Sequence, residues 1–256
     1  RLKNKTCKSR LQKDRVRKMI TVKINGEERQ YPQGATYEDV ANDYQQEYEN
    51  LIALAARDGK IRELFKKLTR DCEVTFFTLK DDVGNKTATM LFLKAVFDVY
   101  GREAARSCRV EFAIGNGSYI SPKGKINATE ENAAKIRNRM RELVEAKTPF
   151  LKRSYSLDNA MELFRKEGMK DKEKLFRYRR GSFVNIYEMD GYYDYYYGYM
   201  LPNAGYVKWF DVIAYEDGFM LLLPDKKDPT HVKPFQERKL LFRTLKESEE
   251  WGKEIG

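Results

Sequence analysis

Short runs of alternating apolar and polar residues, each closed by a turn signal, make up the first part of the chain. Met19 to Gly26 contains Ile-Thr-Val-Lys-Ile and ends in Asn25-Gly26, a pair that favours the tight turn of a hairpin. Glu27 to Tyr31 is expected to return as its second strand. Thr36 then caps a helix, with Asp39 as a variant of the capping box, and Val40, Ala41, Tyr44 and Tyr48 form its buried stripe. Leu51 to Ala56, Ile61 to Leu64 and Glu73 to Leu79 read as strands, the first leaving through an Asp58-Gly59 turn. A hairpin, one helix and further strands make a β-grasp, ubiquitin-like layout over residues 19–80.

Lys80 to Lys86 is polar and turn-rich, a linker. From Thr87 to Tyr100 the period changes. Met90, Leu91, Phe92, Leu93, Val96, Phe97 and Val99 make a helix apolar nearly all round, which belongs at the centre of a domain, and Gly101 ends it. Arg109 to Ile114 is a strand running into Gly115-Asn116-Gly117. Thr129 caps a helix whose Ala133, Ile136, Met140, Leu143 and Val144 keep helical spacing, and Pro149 lies beyond its end. Ser156 caps another, with Leu163 and Phe164 inward and Gly168 as the stop. Phe183 to Met189, a strand through the tyrosines after Asp190-Gly191, Tyr206 to Tyr215 and Phe219 to Leu223 then read as antiparallel strands. Residues 86–223 are thus a second, α+β domain with helices packed on an antiparallel sheet. Residues 224–256 are a charged connector and a helix, Phe235 to Ile255, with too few apolar residues to pack alone. The chain is expected to continue past Gly256.

Composition changes this picture in two places. The 256 residues carry a net charge of +10, but residues 1–18 hold nine Lys or Arg against Asp14 alone. The basic excess is mostly this N-terminal segment, so the high charge does not by itself make the folded body a nucleic-acid binder. Lys147 to Arg180 holds eleven basic and five acidic residues, whereas Gly181 to Leu223 holds one basic and six acidic. A basic helical face beside an acidic, tyrosine-rich sheet is expected. The second place is Gly191 to Gly205, which contains six of the 17 tyrosines. Tyrosine suits a half-buried pleated surface and its hydroxyl needs a polar partner, so the stretch reads first as a packed wall and second as a ligand pocket.

Little in the sequence calls for catalysis. His231, the one histidine, sits between Pro229 and Pro234 in the connector, so neither a histidine-based zinc site nor a nucleophile–histidine triad has material. No Gly-x-x-x-x-Gly-Lys phosphate loop occurs, and Cys7, Cys72 and Cys108 are too widely spaced for a metal knuckle or a disulfide framework. No metal or cofactor is expected in these residues. There is no apolar run of membrane-spanning length and no hydrophobic leader, and a cytoplasmic protein without membrane association is expected.

The order of parts resembles known proteins. Ile-Thr-Val-Lys-Ile-Asn-Gly, then Gly34-Ala-Thr-Tyr-Glu-Asp-Val-Ala and Leu51-Ile-Ala-Leu-Ala, look like a TGS domain. The buried helix, Phe112-Ala-Ile-Gly-Asn-Gly-Ser-Tyr, the helix from Thr129 and Leu201-Pro202-Asn203 resemble the domain that follows TGS in threonyl-tRNA synthetase, which edits mischarged tRNA in many bacterial members. That resemblance implies a His-x-x-x-His and Cys-x-x-x-His site, and its positions fall here on Lys86, Met90, Tyr196 and Met200. All four are replaced, so editing is not expected, and a degenerate pocket is assigned to them together with Asn116 and Asn203. The same pair of domains precedes a P-loop domain in bacterial nucleoside (uridine-type) kinases, and this sequence looks more like that group. It implies a non-catalytic, ligand- or RNA-binding region whose partner is its own C-terminal kinase domain, with ATP and Mg required only there.

Two other readings compete. One is an RNA-binding module related to threonyl-tRNA synthetase, with Lys135, Arg139, Lys152, Arg153, Arg179 and Arg180 as contacts. The other is a residual aminoacyl-tRNA hydrolase. A small regulatory ligand is the remaining partner class.

Overall fold

The computed structural model describes residues 18–81, 84–179, 181–225 and 227–255. The expected hairpin is β1 (Met19–Ile24) and β2 (Glu27–Pro32), closed by Asn25 and Gly26, both at positive φ. Thr36 caps α1 (Tyr37–Tyr44) in a reciprocal capping box with Asp39. A short 3-10 turn at Gln45–Glu47 follows, so Tyr48 lies beyond the helix it was expected to join. Then come β3 (Ile52–Arg57), β4 (Lys60–Glu63) and β5 (Cys72–Thr78). The sheet order is β2-β1-β5-β3-β4, with β1 parallel to β5 at its centre. Tyr37, Val40, Ala41 and Tyr44 of α1 pack on Ile20, Val22, Ile24 and Phe76, so the first lobe is a β-grasp with its own core.

The second lobe is built around α2 (Asn85–Ser107). This helix starts two residues before the expected position and runs past Gly101, which does not end it. Gly101 adopts φ 87 and ψ 175, a conformation open essentially to glycine, so the helix bends there and resumes. Next come β6 (Arg109–Ile114), β7 (Gly117–Ser121), α3 (Glu130–Glu145), β8 (Leu151–Ser156), α4 (Leu157–Lys166), α5 (Lys170–Phe176), β9 (Phe183–Met189) and β10 (Tyr192–Asp194). The lobe ends with β11 (Asp211–Tyr215), β12 (Gly218–Leu222) and α6 (Lys239–Ile255). The strands form two antiparallel sheets, β10-β9-β8 and β11-β12-β7-β6, where one was expected. The α+β class holds for both lobes.

Three expectations are corrected. The tyrosine stretch is strand only at Tyr192–Asp194, because the Asp194 carboxylate accepts from the next N–H, Tyr195, at 2.7 Å and Gly198 adopts φ 105. Both features divert the backbone from a ladder. Tyr206 to Phe210 is also not strand: Asn203 accepts from the Gly205 N–H and caps a 3-10 turn over Ala204–Tyr206. Third, β8 and α5 were not foreseen. Both are short and polar, and the side chains of β8 are exposed or half-buried throughout, so no period stands out.

Helix α2 lies in the largest core. Phe92 meets Phe219 of β12, Phe97 meets Tyr192 of β10, and Ile136 and Met140 of α3 close the cluster. Each large apolar side chain buried there stabilises the fold by roughly 1.5–3 kcal/mol. The terminal helix finds its packing on the neighbouring sheet, through Phe242 and Leu245 against Phe112, Tyr119 and Tyr215. Tyr206 bridges the lobes: its ring packs on both cores and its hydroxyl donates to Glu38 of α1 at 3.3 Å. No helix among the described residues is long and apolar enough to cross a membrane.

Candidate functional site

Lys86 and Met90 sit one turn apart on α2, facing the irregular segment that carries Tyr196 and Met200. Met90 and Met200 are fully buried in one core cluster, with part of Tyr196 packed against it. Thr87 joins helix and segment, its hydroxyl donating to Met200 Sδ at 3.8 Å and accepting from the Leu201 N–H at 3.1 Å. The Lys86 ammonium donates to the Tyr197 carbonyl at 2.5 Å. Asn116 and Asn203 are not brought to this place. Asn116 stands at the β6–β7 turn, donating to the carbonyls of Leu223 and Lys233 at 3.4 and 3.0 Å. Asn203 caps its 3-10 turn and lines a different groove, beside Pro149 and Leu151.

A buried acid from the first lobe reaches the same segment. Glu63, the last residue of β4, is 2% exposed. It accepts from the Tyr187 hydroxyl, from the Lys152 ammonium at 3.1 and 3.2 Å, and from the Met200 N–H at 3.3 Å. Burial, and then the Glu63 charge, push the Tyr187 phenol far above its usual range. Both carboxylate oxygens are therefore engaged in holding the lobes together.

On the other side of Tyr196 is a polar cavity that the sequence did not reveal. The bend at Gly101 redirects the last turns of α2 and brings Arg106 to the β9–β10 hairpin. Its guanidinium donates to the carbonyls of Tyr193 and Glu167 at 2.7 and 3.2 Å and to the Tyr192 hydroxyl at 3.2 Å. It also stands 4.0 Å from the Asp194 carboxylate, which accepts from Tyr192 at 3.2 Å. Burial raises the Asp194 carboxyl despite the opposing charges of Lys172 and Arg106. Among the described residues the Tyr196 hydroxyl is buried without a well-aligned hydrogen-bond partner, and burial, then the nearby Asp194 charge, push it well above the ordinary phenol range. Asp194 carried one available signal, as the sole acid within the tyrosine run. Glu63 and Arg106 carried none, since only the tertiary fold places them.

In chemical terms Met90, Met200, Tyr196 and Lys86 offer two inert thioethers, a phenol that holds its proton, and an ammonium donating to a carbonyl. None is a base or nucleophile at neutral pH. Among the described residues, no three His, Cys, Asp or Glu side chains stand together in a way that could hold a metal ion.

The expected RNA contacts are for the most part committed elsewhere. Lys135 pairs with Glu131 at 2.7 Å, and Arg139 pairs with Asp98 and Glu142 at 2.8 and 2.7 Å. Lys152 holds Glu63, and Arg153 pairs with Glu188 at 2.9 Å. Arg179 donates to the Tyr195 hydroxyl at 3.4 Å and lies 5.0 Å from the centre of the Phe176 ring. Arg180 lies outside the described residues.

A β-grasp lobe joined to an α+β lobe through a buried acid defines a two-lobed α+β protein. No family model matches the chain. Curated relatives do. It is 28% identical over 208 residues to the threonine–tRNA ligase of Thermotoga neapolitana, covering 77% of this chain and 31% of the relative. With the threonine–tRNA ligase of Thermotoga maritima it is also 28% identical, over 76% of this chain and 30% of the relative. The ligase of Porphyromonas gingivalis strain W83 is 23% identical over 88% of this chain and 35% of the relative. The likeness extends over most of the chain and spans about a third of the length of these relatives.

Proposed function

We propose that this chain is a tRNA-directed module, related to part of the threonine–tRNA ligases, that binds RNA without hydrolysing an aminoacyl bond. The likeness to tRNA ligases over most of the chain carries the first half of the reading. The second half rests on the filled cleft, where Met90, Met200 and Tyr196 occupy the positions at which the resemblance implies histidine and cysteine. The first lobe is taken as a TGS-type domain and the second as an editing-type domain that has lost its acid–base groups. Filter binding of tRNA at two salt concentrations, alongside deacylation of mischarged threonine tRNA, tests both halves. Salt-sensitive binding without deacylation is expected. Absence of salt-sensitive binding overturns the first half, and deacylation overturns the second.

A second reading makes the chain the non-catalytic N-terminal region of a nucleoside kinase, with ATP and Mg bound by a domain after residue 256. It is supported by the replaced residues at Lys86, Met90, Tyr196 and Met200 and by the order of the motifs, while the relatives named above are ligases. The coding sequence downstream of Gly256 tests it, and absence of a phosphate-loop motif there removes it.

A further inference from the structure

The loop after β4 carries a concentration of charge that the composition of the whole chain hides. Residues 57–70 contain six basic side chains and two acids, Asp58 and Glu63. Both acids are used internally. Asp58 pairs with Arg70 at 3.0 Å, and Glu63 is buried against Lys152 and Tyr187. The bases on the outer side keep their charge facing water: Lys66 and Lys67 are exposed, and no carboxylate among the described residues pairs with either. Beside them Phe65 is half-buried, with the Lys66 ammonium 5.3 Å from its ring centre.

Across from this loop the second lobe presents a complementary bank. Phe65 and Glu38 line one side of a groove, and Lys147, Pro149, Leu151 and Pro202 line the other. Lys147 is exposed and likewise unpaired among the described residues, and Leu151 is 41% exposed. Glu38 is the acid that would oppose an anion here, and it accepts from the Tyr206 hydroxyl. Both banks are tied down by backbone hydrogen bonds. The Tyr37 and Glu38 N–H groups donate to the Lys66 and Leu64 carbonyls at 3.0 and 2.8 Å, and Phe150 N–H donates to Pro202 at 3.0 Å. The Glu63 cluster holds the two lobes together.

We propose that this groove between the lobes seats an RNA strand, with Lys66, Lys67 and Lys147 pairing with phosphates and Phe65 and Leu151 offering an apolar surface to an unpaired base. The inference rests on the tRNA-directed reading and gives it a location other than α3, whose Lys135 and Arg139 are already paired. Charge complementarity selects the occupant: the Lys66 ammonium stands beside the Phe65 ring and Lys147 lines the opposite bank, a combination of cation and ring that holds single-stranded nucleic acid by phosphate pairing and base stacking.

The test is filter binding of tRNA to the full chain and to a K66Q/K67Q/K147Q variant, with unfolding midpoints measured to verify equal folding. The variant is expected to bind about tenfold or more weakly and to lose about three from the slope of log K against log salt. Lys135→Gln is expected to stay within about twofold of the parent, because its partner Glu131 already neutralises it. Phe65→Ala is expected to weaken binding of unpaired RNA by about fivefold or more. If the parent binds tRNA and the triple variant matches it, the groove is wrong and the tRNA-directed reading stands. If the parent itself shows no salt-sensitive binding, that reading falls and takes the groove with it. Equal competition by duplex DNA of matched length overturns the assignment to RNA.

Discussion

Glu63 and Tyr187 are 124 residues apart in the chain and share a buried hydrogen bond between the two lobes. The same carboxylate holds the Lys152 ammonium, whose side chain is 14% exposed. A buried pair of this kind contributes little when intact, since desolvation offsets attraction, but removing one partner strands the other. Glu63→Ala is expected to cost about 3 kcal/mol in urea unfolding. A Glu63→Met, Lys152→Met double variant is expected to recover much of that loss. If Glu63→Ala unfolds at the parental midpoint, the contact does not hold the lobes.

Among the described residues the Tyr196 hydroxyl is buried with no well-aligned hydrogen-bond partner, although the Asp194 carboxylate lies nearby. Removing an unsatisfied polar group relieves its desolvation cost, so Tyr196→Phe is expected to leave stability unchanged or raise it by up to about 1 kcal/mol. A loss of more than that in equilibrium unfolding would show that the hydroxyl has a partner.

Gly101 places the second half of α2, and with it Arg106. Its φ of 87 with ψ of 175 is costly for any residue with a Cβ, although outside its own helix no atom of the described residues lies within 4 Å of where that Cβ would stand. Gly101→Ala is expected to destabilise by about 2 kcal/mol through backbone strain alone. A thermal unfolding midpoint equal to the parent's would contradict this.

Asp217 ties α6 to the β11–β12 hairpin, accepting from the Tyr119 hydroxyl at 2.5 Å and from Lys246 at 2.7 Å. Burial raises its carboxyl, but the hydrogen bonds from Lys246 and Tyr119 outweigh burial and hold it below the ordinary aspartate value. A depressed folded pKa means that the contribution is full above the unfolded value, about 3.9, and is lost as pH falls through the folded value. Urea midpoints measured from about pH 6 down to about pH 3 are expected to fall less steeply for Asp217→Asn than for the parent. Parallel curves would remove Asp217 from the acid response.

Much of the local structure was legible because its causes are local. Asn25-Gly26 specifies a hairpin through backbone preference, Thr36 and Asp39 cap α1 with their own atoms, and the spacing Ala133, Ile136, Met140 and Leu143 marks one face of α3. The α+β class follows from those signals. The course of the tyrosine run was not legible, because Asp194, Gly198 and Asn203 redirect a backbone whose composition favours a strand. Polar β8 and α5 lacked a hydrophobic period to read.

What the sequence determined on its own was therefore the set of local elements, since these depend on neighbours in the chain. The tertiary structure alone decided where charges end. Glu63 turns inward to meet Lys152, Arg139 is consumed by Asp98, and Phe65 and Lys147 are left facing one groove. Net charge counts side chains, whereas binding depends on which of them burial and pairing have already neutralised.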